Sequence, residues 1–193
     1  MNDRTTSVAI LAAAFAAAAL AAPATASDKR EGFLCCNMRS DGSWISDSNY
    51  AESGKRVIPV GTPVTQTGYG RSRVRVTIDG KKQEIGNDYS RDLSDAQFAA
   101  RYVVAEDPKL KIAGYPKKIQ DAITRAKITP GMTREQVIMA LGYPISSENP
   151  DLQADLWRYW MSSFAEFQVQ FDGAGKVREI TTDTGTRNLV WLP

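Results

Sequence analysis

Two cysteines, Cys35 and Cys36, stand side by side in a chain of 193 residues that has no histidine. Without an imidazole base, Ser-His-Asp and Cys-His nucleophile pairs are excluded. Zinc sites built on histidine are excluded as well, and two cysteines fall short of a cysteine-rich structural site. The chain holds no EF-hand loop and no Walker-type glycine loop. Gly68-Tyr69-Gly70 runs into a strand pattern instead of a helix, so it fails as a dinucleotide fingerprint. Glu148, Asp151 and Asp155 sit in a polar connection around Pro150, where nothing fixes the geometry an acid/base pair needs; a solvated turn is the better reading. The expectation is a non-enzyme with no cofactor and no metal.

The cysteine pair keeps several readings open. Neighbouring Cα atoms are about 3.8 Å apart, closer than ordinary bridges prefer, so a vicinal disulfide demands a strained backbone. The alternatives are an intermolecular bridge, a reactive thiol, or two small apolar residues at the start of a strand. In an extended segment the two side chains would point to opposite faces.

The first residues bear on compartment. Ser7 to Ala22 is an unbroken, alanine-rich apolar run, and Pro23-Ala24-Thr25-Ala26 supplies an A-x-A cleavage site. The run is shorter than the ~20 residues of a membrane span, so residues 1–26 read as a secretory signal peptide and the mature chain is expected to start at Ser27. A formal net charge of +2 with no concentrated basic footprint argues against a nucleic-acid partner.

Candidate binding residues come from the elements that follow. Over Lys55 to Tyr89 the pattern is short strands and tight turns. Val74, Val76 and Ile78 alternate with Arg71, Arg73 and Arg75, a half-buried strand with a row of arginines on its outer face, extended by Lys81 and Lys82 from the return strand Lys82 to Ile85. Asp79-Gly80 suits the type I′ turn between the two strands. The row is either a charged strand edge that resists aggregation or a contact for anionic headgroups, lipopolysaccharide phosphates or an acidic partner. Residues 31–90 are thus expected to form a small β-rich domain.

Residues 91–115 read as a helical connection. Ser94 can cap a helix over Asp95 to Val103, and Asp107-Pro108 breaks the chain. Pro116 opens a helix presenting Ile119, Ala122, Ile123 and Ala126. Thr133 and Gln136 have capping-box spacing, Met132 and Val137 are placed for a hydrophobic staple, and Gly142 with Pro144 ends that helix. Three strands follow, Leu156 to Ser162, Glu166 to Phe171 and Lys176 to Thr182. On the first, Trp157, Tyr159 and Met161 share one face and Trp160 lies on the other, where it either packs on the surface or meets a partner or a glycan. The last residues, 186–193, form an apolar tail expected to dock on the N-terminal domain or to move freely.

Gly131-Met132-Thr133, Glu135-Gln136-Val137, Leu141-Gly142 and Pro144 resemble the core motif of the BamE (SmpA) family, small outer-membrane-associated proteins of Gram-negative bacteria that help assemble β-barrel proteins. Trp157, Tyr159, Val169, Phe171, Asp172, Gly175, Lys176 and Val177 resemble its later pattern, so the likeness covers roughly Lys127 to Thr182. It implies a helix pair on a three-stranded antiparallel sheet, here over residues 116–185. Family members are lipoproteins with a cysteine directly after the signal segment, whereas the first cysteine here is Cys35. Residues Val57 to Val64 resemble bacterial SH3-like barrels. The expected fold is α+β: an SH3-like β-rich domain, a helical connection and a BamE-like unit.

The expected function is that of a periplasmic accessory protein, peripheral at the outer membrane, binding envelope partners such as the barrel-assembly machinery. Two alternatives stand beside it: a module for peptidoglycan or anionic lipid, and a proteinaceous inhibitor of a periplasmic enzyme, since β-lactamase-inhibitor proteins have a similar helix-on-sheet unit. Residues expected at a partner surface are Arg71, Arg73, Arg75 and Trp160.

Overall fold

A computed structural model describes residues 29–193. The signal-peptide reading falls on residues 1–26, outside the described residues. The chain runs through β1 (Arg30–Leu34), β2 (Met38–Ser40), β3 (Trp44–Ser46), β4 (Arg56–Ile58), β5 (Pro63–Tyr69), β6 (Arg73–Ile78), β7 (Lys81–Gly86) and α1 (Asp95–Tyr102). It continues with β8 (Val103–Val104), α2 (Pro108–Ile112), α3 (Lys117–Thr124), α4 (Arg134–Leu141), β9 (Leu156–Ser162), β10 (Ala165–Phe171), β11 (Val177–Thr181) and α5 (Thr184–Val190). The fold is mixed α+β, with its strands concentrated in the N-terminal half.

Six strands form one sheet in the order β3-β7-β6-β5-β1-β8, and β2 pairs with β4 beside it. Val74, Val76 and Ile78 turn inward, as their alternation predicts, and are buried together with Leu34, Ile45, Ile85 and the α1 residues Phe98 and Tyr102. The strand expected from Arg71 begins only at Arg73. Gly70 and Arg73 exchange two backbone hydrogen bonds around Arg71 and Ser72, whose φ angles are +54° and +59°. Two positive φ angles define a type I′ turn, whose twist matches that of the flanking strands, so β5 runs on through Tyr69 and the turn falls two residues later than Gly68 to Gly70 suggests.

The C-terminal half places α3 and α4 on the antiparallel sheet β11-β10-β9. Thr133 caps α4 as expected: Thr133 Oγ1 accepts from Gln136 N, and Gln136 Oε1 accepts from Thr133 N. Met132 and Val137 are both fully buried in the shared core. Cross-strand register sets Trp157 opposite Val169 and Tyr159 opposite Phe167, where the two rings stack 5.4 Å apart. The C-terminal tail packs on this half, not on the N-terminal sheet. Asp183 caps α5, Val190 enters the core, and Ile128 donates to Val190 O while Leu192 donates to Ile128 O.

A buried polar junction ties the halves together. The segment after β1 passes across the C-terminal ends of α3 and α4, which expose carbonyls that no helix residue satisfies. Asn37 Nδ2 donates to Ile123 O at 2.6 Å and to Ala140 O at 3.1 Å. Asn49 Nδ2 donates to Leu141 O at 2.6 Å and to Asn37 O at 3.0 Å, while its Oδ1 accepts from Arg39 N. Arg39 reaches Ala126 O with Nη2, a cation at the negative end of a helix dipole. Burial lowers the pKa of its guanidinium to about 10. Gly142, at φ +85°, ends α4 where a Cβ would lie 2.9 Å from Asn49 Nδ2, so the glycine serves both the turn and the close approach.

Candidate functional site

The arginines are the first place to look. Arg73 and Arg75 leave β6 on the same face, and β7 sets Glu84 directly opposite Arg75. Arg73 Nε and Arg75 Nε lie 3.7 Å and 3.8 Å from Glu84, and Arg73 Nη1 lies 3.7 Å from Asp88. The Arg73 guanidinium also lies over the Trp44 ring, 3.8 Å from its centroid. Arg71, in the type I′ turn, is off the strand, so the expected row of three is a pair with carboxylates interleaved. Lys82, opposite Thr77, continues the face; Lys81, opposite Ile78, belongs to the other pleat. Cross-strand acids are invisible to an alternation pattern read from one strand.

Trp160 lies on the opposite pleat from buried Trp157 and Tyr159, as expected, and is half-buried. Its Nε1–H donates to Glu148 Oε2 at 3.1 Å. It lines a cavity of about 200 Å³ together with Tyr50, Tyr89, Ile145 and Glu148. The two tyrosines come from the N-terminal half. A hydrogen bond with Tyr50 raises the Tyr89 hydroxyl above its ordinary value. Arg158 holds Glu166 at 3.3 Å and Glu148 at 3.9 Å. Neither tyrosine carries a sequence signal, because nothing local announces that residue 50 meets residue 160.

A cleft of about 650 Å³ lies between α2, α4 and the start of β9. Cys35, Val104, Leu110, Ile138, Met139 and Trp157 supply its apolar wall. Leu110 stands 77% exposed at α2. The rim carries Glu106, Asp107 and Glu135 against Lys111 and Arg134, and Lys111 Nζ pairs with Glu135 at 2.8 Å. Cys35 and Cys36 are joined as a vicinal disulfide, their Cα atoms 3.8 Å apart, and both are buried. Of the readings open at the sequence level, the vicinal bridge is the one this structure contains.

Two donors in the cleft wall are unused. Trp157 is fully buried, yet its indole Nε1–H has no hydrogen-bond partner. Arg134 Nε is buried without a partner too, although Arg134 Nη2 donates to Gln153 O, Ala154 O and Asp155 Oδ1. The Arg134 guanidinium lies 4.5 Å from the centre of the Phe171 ring, and Phe171 packs edge-on against Trp157. Asp155 therefore anchors an arginine instead of forming a carboxylate pair with Asp151 or Glu148.

Residues 121–181 match the family described as Outer membrane protein assembly factor BamE domain. The matched stretch runs from within α3 to the end of β11, the helix pair and three-stranded sheet described above. This part of the chain is similar to that domain, as the motif around Thr133 implies. No curated protein and no solved structure matches the chain.

Proposed function

We propose that the protein is an accessory factor of the cell envelope that binds protein partners at the periplasmic face of the outer membrane, in the assembly of β-barrel proteins. Support comes from the BamE-domain match over 121–181 together with the helix-pair-on-sheet unit that fills it. Export through residues 1–26 and action by binding instead of catalysis belong to the same proposal. Affinity capture from crosslinked envelopes of the host tests it. Recovery of barrel-assembly subunits in proportion to the bait is the expected result; their absence, with the bait soluble and folded, would overturn it.

The Trp160 cavity favours a second reading. Aromatic rings flanking a carboxylate suit a sugar ring, which offers C–H faces and hydroxyls together. With the SH3-like resemblance of Val57 to Val64, this supports binding to the glycan of peptidoglycan. Sedimentation with purified sacculi, lost on Trp160→Ala, would favour it over the first reading.

A further inference from the structure

We propose that the Cys35–Cys36 bridge is a thiol–disulfide exchange site, opened by a small dithiol that enters through the cleft, and that its reduction loosens the joint between the two halves. The proposal stands on the bridge and its neighbours and does not depend on which partners the protein binds.

The two cysteines link one set of anchors to another. Before them, Leu34 N–H donates to Thr62 O and Gly61 N–H to Leu34 O, and Cys35 N–H donates to Tyr102 O at the end of α1. After them, Asn37 N–H donates to Met139 O at 3.0 Å. The Asn37 side chain caps α3 and α4 and accepts from Val60 N. Adjacent side chains in an extended link point to opposite faces. The bridge forbids that arrangement, and the chain bends at both cysteines between β1 and β2. Reduction restores rotation about the backbone bonds of the link, and two sulfurs that are no longer bonded have to separate. Cys36 is fully enclosed, its Sγ 3.7 Å from Met38 Sδ, so the room for that separation lies on the Cys35 side, toward the cleft. The next residue is Asn37, whose amide finishes both helices, so movement of the link reaches the joint directly.

The two sulfurs are unequally placed. Cys35 lines the cleft wall and keeps 7% exposure, whereas Cys36 has none. Exchange depends on which sulfur an attacking thiolate can reach, and here that sulfur belongs to Cys35. A thiolate of the dithiol attacks Cys35 Sγ and forms a mixed disulfide. The Cys35–Cys36 bond breaks with its electron pair leaving on Cys36 Sγ, which takes up a proton. The second thiolate of the reagent then attacks the reagent's own sulfur in the mixed disulfide, closing a cyclic disulfide and releasing Cys35, which is protonated in turn. Two electrons and two protons pass to the protein, and the dithiol is the species oxidised. A dithiol suits the site because its second thiol completes the exchange without another molecule entering the cleft.

The probe is dithiothreitol, added without denaturant to isotope-labelled protein purified under air. Samples quenched in acid, unfolded and alkylated are weighed intact to count thiols. The protein as purified should have no free thiol, and dithiothreitol should produce two at a rate proportional to its concentration. Brief alkylation of the folded, reduced protein should mark Cys35 before Cys36, as fragment masses show. Amide resonances of Asn37, Val60 and Met139 should shift on reduction while those of β10 and β11 stay in place. Hydrogen exchange at Asn37 and Val60 should quicken about tenfold, because a loosened link opens more often. Four results would overturn the proposal. Two free thiols in the air-purified protein would deny the bridge. Reduction only at urea concentrations that unfold the chain would deny a route through the cleft, as would Cys36 reacting first. Unchanged exchange at Asn37 and Val60 after complete reduction would deny the coupling to the joint.

Discussion

Helix α4 has a buried polar region at its C-terminal end and another along its exposed flank, and the two are finished differently. At the end, Asn37 and Asn49 place their amide hydrogens on Ile123 O, Ala140 O, Leu141 O and Asn37 O. Along the flank, Trp157 Nε1 and Arg134 Nε have no acceptor. Both regions have paid the desolvation of their polar groups, but only the first has recovered it in hydrogen bonds. A saturated network makes a fixed joint, whereas open donors leave the cost of their burial uncompensated. Stability should be more sensitive to changes in the first region than in the second.

The largest loss is expected from the joint. Asn49→Leu removes donors to Leu141 O and Asn37 O and an acceptor for Arg39 N. Unfolding in urea should show a loss of roughly 3–5 kcal/mol, since several buried groups are orphaned at once. A loss under 1 kcal/mol would mean that the joint does not fix the two halves together.

Next comes the cap. Thr133→Ala removes one bond of a capping box and should cost about 1 kcal/mol in the same measurement. Leu110→Glu sits at the opposite extreme on the flank: a change within about 0.5 kcal/mol is expected, because the side chain is already in water. A large loss there would show that α2 is packed more tightly than its exposure indicates.

The smallest effect is electrostatic. Asp47 accepts from the backbone N–H of Asp88 and Tyr89, yet burial holds its carboxyl above the ordinary 3.8. A raised folded value means the native state holds the proton more tightly than the unfolded chain. Its contribution is therefore full below about pH 3.8 and is lost as pH rises through the folded value. Relative to Asp47→Asn, which does not titrate, the parent should lose stability between pH 3 and pH 7. Parallel pH profiles for the two proteins would refute this.

Local chemistry accounts for what could be read ahead of the fold. The α4 cap, the inward set Trp157, Tyr159, Phe167, Val169 and Phe171, and the Asp79-Gly80 turn each depend on neighbours within a few positions. The joint was illegible because Asn37 finds its acceptors 86 and 103 residues away. The cleft was illegible for the same reason: Cys35, Val104, Leu110, Ile138 and Trp157 converge only when β1, β8, α2, α4 and β9 are assembled. The arginine row failed on a subtler point. Arg71 and Ser72 are not residues that advertise positive φ, whereas Gly68 and Gly70 are, so residue type points to a turn earlier than the one at Arg71-Ser72.

The joint also separates ancestry from autonomy. The recognisable family stretch begins at residue 121, but the caps on its helices are written at positions 37, 39 and 49. A fragment starting at Pro116 would inherit the whole recognisable domain and still leave the ends of both its helices open to water. The hydrogen bonds that finish this stretch are thus supplied by residues outside it, at positions 37, 39 and 49.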